Sequence, residues 1–223
     1  MVVFGQAIYI ISNGVYTVIN VTSQMTTREA RPGTYKKTLM AFCGAPLVGK
    51  SSLAKAIGQN LKIKVLDLDD MRLELFNRPG ERLPDQQERE VMLSVYIEMY
   101  KRARATLYED RPVITVATHS RPIYHELLRT SAQYAEAAIA LMYSDTSKII
   151  DLDAFLTQRI ASRVTNGDSS SNVTDLAYAK LIVQRYKCIT PKDGETVIVT
   201  DPTKSREALS EETTTRVYDL LRK

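Results

Sequence analysis

One stretch limits what this chain can fold into more than any other: residues 37–59, KTLMAFCGAPLVGKSSLAKAIGQ. The apolar run Leu39 to Cys43 has the length and composition of a buried strand. Gly44-Ala45-Pro46-Leu47-Val48-Gly49-Lys50-Ser51 then matches G-x-x-x-x-G-K-S, and Leu53, Ile57 and Leu61 follow at a spacing of four, one face of a helix. Strand, glycine-bearing loop and helix in that order make a phosphate-binding loop. Its N–H groups and the helix N-terminus point at one spot, and both favour anionic oxygens there. Gly44, Ala45, Pro46, Leu47, Val48, Gly49, Lys50, Ser51 and Ser52 are therefore the candidate nucleotide contacts. Lys50 adds a charge for the β- and γ-phosphates, and the Ser51 hydroxyl stands where it can ligate Mg²⁺. Leu47 and Val48 are bulky where many such loops carry Gly, Ala or Ser.

With 223 residues, 44% of them hydrophobic, the chain is long enough for one globular domain with a full core and a short appendage. A net charge of +4 favours polyanions only weakly, and no clustered basic stripe marks a dedicated nucleic-acid binder. Cys43 and Cys188 are the only cysteines, and Cys43 falls in the expected core strand. A disulfide framework is not expected, and a reducing, cytoplasmic setting is. No Cys or His cluster has zinc-site spacing. The apolar start VVFGQAIYIIS has no Lys or Arg before Arg28, no small-residue cleavage pattern, and a break at Asn13-Gly14. Neither a signal peptide nor a membrane span is expected there.

Residues 1–36 read as an extension: two β-prone runs, Ala7–Ser12 and Val15–Val21, joined at Asn13-Gly14 as a hairpin, then a polar linker from Thr22. Residues 37–223 read as the main domain. After the loop helix, KIKVLD (62–67) is a second strand ending in Asp67-Leu68-Asp69-Asp70 and Met71-Arg72. Asp85 opens a long helix to about Glu109 whose apolar stripe is Met92, Val95, Met99 and Ala103. VITVAT (113–118) has the β-branched continuity of a strand buried on both faces, and Thr118-His119-Ser120-Arg121 follows it. A fourth strand is expected at Lys148–Leu152, helices at 153–164 and 174–186, a flexible loop at 165–172, a last strand at Thr196–Thr200 and a closing helix at 205–221. Alternating strands and helices predict an α/β fold: a mostly parallel five-stranded sheet sandwiched by helices, with ligands at the strands' C-terminal ends.

The phosphate loop, Asp67–Arg72 and Thr118–Arg121 all fall at such ends. Phosphoryl transfer needs a phosphate cradle, Mg²⁺, a carboxylate to orient and deprotonate the acceptor, and cations to stabilise charge. Asp69 or Asp70 is the candidate carboxylate, and Arg72 is placed for an anion on the acceptor. Arg159 and Arg163, four apart on one helix face, suit a lid over the phosphates. His119 is a candidate acceptor contact. Plainer readings stand beside these: a solvated strand end with Asp70 as helix cap, an exposed arginine face, and an incidental loop histidine.

From about Thr38 to Thr200 the chain resembles the P-loop kinase group that includes polynucleotide 5′-hydroxyl kinases and zeta-toxin-like kinases. The matching pieces are GAPLVGKS, DLDDMR, VITVATHS and QRIASR, in that order. The resemblance implies an ATP- and Mg²⁺-dependent kinase acting on a hydroxyl of a small molecule or a nucleic-acid end. It makes Asp69 the general base, Arg72 an acceptor-side residue (with Asp70 beside it) and Arg163 the lid arginine. In that group the third strand often carries an Asp where this chain has Val116. A signalling GTPase is disfavoured because no N-K-x-D motif is present, and a motor-type ATPase because no strand ends in Asp-Glu. The competing reading of another class is a nucleotide-binding regulator with a degenerate kinase site.

Overall fold

A computed structural model describes residues 2–4, 7–12, 15–20, 35–76, 85–165, 173, 175–186 and 189–222. The chain forms two compact units, Met1–Thr34 and Tyr35–Lys223.

In the first unit, β1 (Val2–Phe4), β2 (Ala7–Ser12) and β3 (Val15–Asn20) make a three-stranded antiparallel sheet. Ser12 pairs with Val15 and Ala7 with Asn20, the register of a hairpin. The expected two strands become three because β1 joins β2, with Val2 opposite Tyr9. Asn13-Gly14 and the linker lie outside the described residues.

The second unit begins with β4 (Thr38–Cys43), α1 (Lys50–Leu61), β5 (Lys64–Asp67), α2 (Leu68–Phe76) and α3 (Asp85–Tyr108). It continues with β6 (Val113–Val116), α4 (Pro122–Tyr134), β7 (Ala138–Ser144), α5 (Leu152–Thr165), α6 (Leu176–Arg185), β8 (Thr196–Thr200) and α7 (Arg206–Arg222). Its five strands run in the order β5-β6-β4-β7-β8 and every pairing is parallel. A crossover between parallel strands needs a covering helix, which is why the strands read as apolar runs. All six residues of the central β4 are buried. Leu53 and Ile57 of α1 and Val217 and Leu221 of α7 share one apolar cluster with Met40, Phe42, Ile114 and Met142 of the sheet. Helices α3 and α4 pack on each other and against β4. Helix α1 approaches β5 closely at Gly58, where a Cβ would meet the Ile63 carbonyl oxygen at 2.9 Å and Val65 Cγ2 at 2.4 Å.

The fourth strand is not at Lys148–Leu152. Thr146–Lys148 is a short 3-10 turn capped by the Asp145 side chain, Ile150 is fully exposed, and Leu152 already belongs to α5, whose first turn is capped by Asp151 through Ala154 N at 2.9 Å. The strand is AIALMYS, residues 138–144, which pairs with β4 from Thr38↔Ala138 to Cys43↔Tyr143. Ala, Leu and Met are good helix formers, so local propensity hides this strand and tertiary pairing decides it. Among the described residues no helix is long and apolar enough to cross a membrane.

Candidate active site

The loop between β4 and α1 curls back through left-handed backbone at Leu47 (φ 66°) and Gly49 (φ 88°). Pro46, Leu47, Gly49, Lys50, Ser51 and Ser52 line a cleft of about 550 Å³, while Gly44, Ala45 and Val48 are buried behind them. The Lys50 ammonium is almost wholly buried and donates to the Ala45 carbonyl. Burial pushes its pKa down to about 8, against the opposing pull of the Asp69 and Asp67 carboxylates. A phosphate group entering the loop would be the natural anionic partner for this cation.

The acidic cluster is divided by its position at the strand-to-helix junction. Asp67 closes β5 and is the cap of α2: its Oδ1 accepts the Asp69 N–H at 3.0 Å. The expectation that Asp70 is the cap is therefore wrong by three positions. Asp67 is 5% exposed, and its Oδ2 is buried with no hydrogen-bond partner among the described residues. Burial raises its pKa, and the Ser51 hydroxyl and the Asp69 N–H oppose that rise. Asp69 lines the cleft, and burial followed by the Asp67 charge pushes its carboxyl up to about 6, with Lys50, Arg163 and Arg72 pulling the other way. Asp70 does not line the cleft. It points to the outside, where it pairs with Lys55 at 2.7 Å with both side chains about half exposed. The acceptor-contact assignment of Asp70 fails for that reason: successive residues at a helix start project about 100° apart.

Arg72 of α2, Arg159 and Arg163 of α5 all line the same cleft as Lys50 and Asp69. Arg72 is 5% exposed and reaches the Glu88 carboxylate at 3.5 Å. Arg159 lies over the Phe155 ring, 5.0 Å from its centroid. His119 is the second corrected assignment. It is fully buried at φ 52°, its Nε2 meets the Tyr100 hydroxyl at 2.5 Å and its N–H donates to the Tyr96 hydroxyl at 2.9 Å. Burial pushes its pKa down to about 3, so it is a neutral core group, out of reach of any acceptor.

The cleft is completed by α3 and by the 118–121 segment expected at this strand end, while the sequence alone does not place Glu88, Arg89, Tyr96 and Tyr124 there. Glu88, Arg89, Met92 and Tyr96 line it from α3, and Thr118, Ser120, Arg121 and Tyr124 from the β6–α4 junction. Tyr124 stacks flat on Tyr96 with ring centroids 3.7 Å apart. The apolar stripe expected for this helix, Met92, Val95, Met99 and Ala103, reads as a core face, and only Met92 of it lines the cleft.

Mg²⁺ is the ion that a loop of this kind implies. The chain supplies two oxygen donors suited to a hard cation, the Ser51 hydroxyl and the orphaned Asp67 Oδ2. A buried carboxylate oxygen without a partner is costly, and a hydrated cation beside the phosphates would satisfy it. Val116, the third-strand residue whose place the resemblance gives to an Asp, is 2% exposed and contributes no donor from its side chain.

Residues 39–187 match the family model AAA_33, described as an AAA domain. Three solved structures share the fold. A protein from Chloroflexus aurantiacus is 18% identical over 84% of this chain and 99% of that one, with a TM-score of 0.61. A gluconokinase from Sinorhizobium meliloti is 14% identical over 84% and 95% of the two chains, with a TM-score of 0.56. The APS kinase CysC of Mycobacterium tuberculosis, seen with AMPPNP and APS, is 19% identical over 85% and 99%, with a TM-score of 0.52. Among curated proteins, none matches the chain. The matched segment runs from the strand before the phosphate loop through α6, well over half of the chain, and so the protein belongs to the AAA_33 family and has the P-loop kinase fold.

Proposed function

We propose that this protein is an ATP-dependent phosphotransferase that moves the γ-phosphate of ATP to a hydroxyl of a small anionic molecule. One observation carries the reading: a cleft that unites the phosphate loop with a carboxylate, Asp69, whose pKa of about 6 suits a general base near neutral pH. Family membership supports the nucleotide half of it.

In this reading the loop N–H groups and Lys50 hold the β- and γ-phosphates. Ser51 and Asp67 would hold a hydrated Mg²⁺, whose charge would offset that of the phosphates. The acceptor hydroxyl sits against Asp69, which orients it and takes its proton as the oxygen attacks phosphorus. Arg163 stabilises the charge that spreads over the transferred group. ADP leaves with the electron pair of the broken bridging bond.

The acceptor class follows from the charge of the cleft. Among the described residues Lys50, Arg72, Arg89, Arg121, Arg159 and Arg163 line it with Asp67, Asp69 and Glu88, so cations outnumber carboxylates, and Arg89 and Arg121 belong neither to the phosphate loop nor to α5. A carboxylate or phosphate on the acceptor would complement them, and Met92 with the Tyr96–Tyr124 stack would cover its carbon skeleton. The test is a screen with γ-labelled ATP that uses matched alcohols with and without an anionic group, such as glycerol against 3-phosphoglycerate and glucose against gluconate. Label transfer confined to anionic members is expected. Transfer to neutral members alone overturns the acceptor class. Hydrolysis of ATP with no transfer to any alcohol, including a 5′-hydroxyl oligonucleotide, favours a nucleotide-binding regulator.

A further inference from the structure

The phosphate loop contains one side chain that phosphate binding does not require. Leu47 stands in left-handed backbone, φ 66°, where a glycine would sit without steric cost. Its side chain is 6% exposed, and it belongs to an apolar cluster with Leu156 of α5, Val173 and Ala179 of α6. That cluster is distinct from the one beneath the central sheet. Leu156 is the one buried residue recorded for α5, so the helix has a small apolar anchor, and Leu47 is one of its four buried members. Arg159 and Arg163 follow Leu156 by three and seven positions, on the same side of the helix, and both line the cleft.

We infer that Leu47 is a positioning residue: it pins the α5–α6 pair onto the phosphate loop and so fixes where Arg163 stands relative to Lys50 and Asp69. Of the two bulky residues in the loop, Leu47 is then the link between the nucleotide cradle and the helix that carries the cations. The partly buried apolar residues packed against this cluster, among them Phe155, Ile160, Leu176 and Ile182, belong to α5 and α6 themselves, so Leu47 is the member that ties the pair to the phosphate loop, and its loss changes how often Arg163 is in place. The consequence for turnover rests on the phosphotransfer reading. The mechanical link does not.

Leu47→Gly separates the two. Glycine accepts φ 66° freely and keeps every loop N–H, so ADP should bind within about threefold of the parent. Hydrogen exchange in the ADP-bound protein should quicken at least about tenfold in α5 and α6, with β4 and β6 unchanged. Leu47→Met, which restores apolar volume, should return exchange to the parent rate. If α5 and α6 exchange as slowly in Leu47→Gly as in the parent, the link is overturned, whatever the activity. On an acceptor found by the screen, kcat of Leu47→Gly should fall about tenfold or more with little change in KM for ATP, and the pair Leu47→Gly/Arg163→Ala should be no slower than Arg163→Ala alone. Additive losses would overturn the claim that Leu47 acts through Arg163. Faster exchange in a protein that phosphorylates nothing would uphold the link and remove the kinase reading.

Discussion

Asp67 and Val116 lie side by side in the sheet, as Cα partners on β5 and β6. Val116 offers no side-chain donor there, so the carboxylate at this level of the sheet is that of Asp67, whose Oδ2 is buried without a hydrogen-bond partner among the described residues. We propose that Asp67 supplies the charge that an Asp on the third strand would otherwise bring, in exchange for Val116.

Asp67→Asn tests that exchange. Loss of the negative charge should raise the Mg²⁺ concentration needed for half-maximal turnover by about 10- to 100-fold. Nucleotide binding without Mg²⁺ should change little. An unaltered Mg²⁺ titration would remove Asp67 from the ion's surroundings.

Lys50→Ala should weaken Mg²⁺-ATP binding by about 10- to 100-fold, the usual worth of a hydrogen bond from a charged donor. Calorimetric titration checks it, with far-UV circular dichroism to confirm that the fold survives. Parent-like affinity would place the nucleotide elsewhere.

Asp69→Asn should slow phosphoryl transfer by about 10²–10⁴-fold while ATP still binds. Asp70→Asn loses a half-exposed pair with Lys55 and should cost less than about 1 kcal/mol of stability and little activity. Comparing the two purified variants on one acceptor decides the register. A dead Asp70→Asn with an active Asp69→Asn would reverse the assignment.

Asp69 also makes a stability prediction with a definite sign. Its folded pKa, about 6, lies above the ordinary carboxylate value of 3.8. The folded state therefore holds the Asp69 proton more tightly than the unfolded chain. The stability this contributes is present below about pH 4 and is lost as pH rises through about 6. At pH 7 the ionised carboxylate costs on the order of 2–3 kcal/mol, which Asp69→Asn removes. In metal-free protein the variant should melt above the parent at pH 7 and near it at pH 4. Equal melting temperatures at pH 7 would show that the site does not strain this carboxylate.

Arg163→Ala should lower kcat by about 10²–10³-fold and raise the KM for ATP by less than tenfold, because its contact matters most to the reacting state. Steady-state kinetics on any acceptor from the screen measures both. A change confined to KM would make Arg163 a ground-state binder.

The phosphate loop, the order of elements and the second-strand carboxylates were legible in the sequence because glycine, β-branched runs and charged strand ends report local geometry directly. Three things were not. Strand β7 is rich in Ala, Leu and Met, and its pairing with β4 and β8 makes it a strand. His119 sits in a polar-looking loop, yet the Tyr96 and Tyr100 hydroxyls arrive from α3, nineteen or more positions away, to enclose it. Leu47 is a bulky residue in a loop that usually takes small ones, and only the cluster with α5 and α6 gives its side chain a place. Each miss depends on a partner distant in the chain, and periodicity carries no record of such partners.

Gly58 has its consequence at a distance from where it stands. The missing methyl lets α1 settle on β5 against the Ile63 carbonyl. Lys50 begins that helix and Asp67 ends that strand. The gap between the cation and the carboxylates is therefore a layer thickness, set eight residues along α1 by the smallest side chain available. Any larger residue there would act as a shim, lifting helix from sheet and detuning the cleft without touching it.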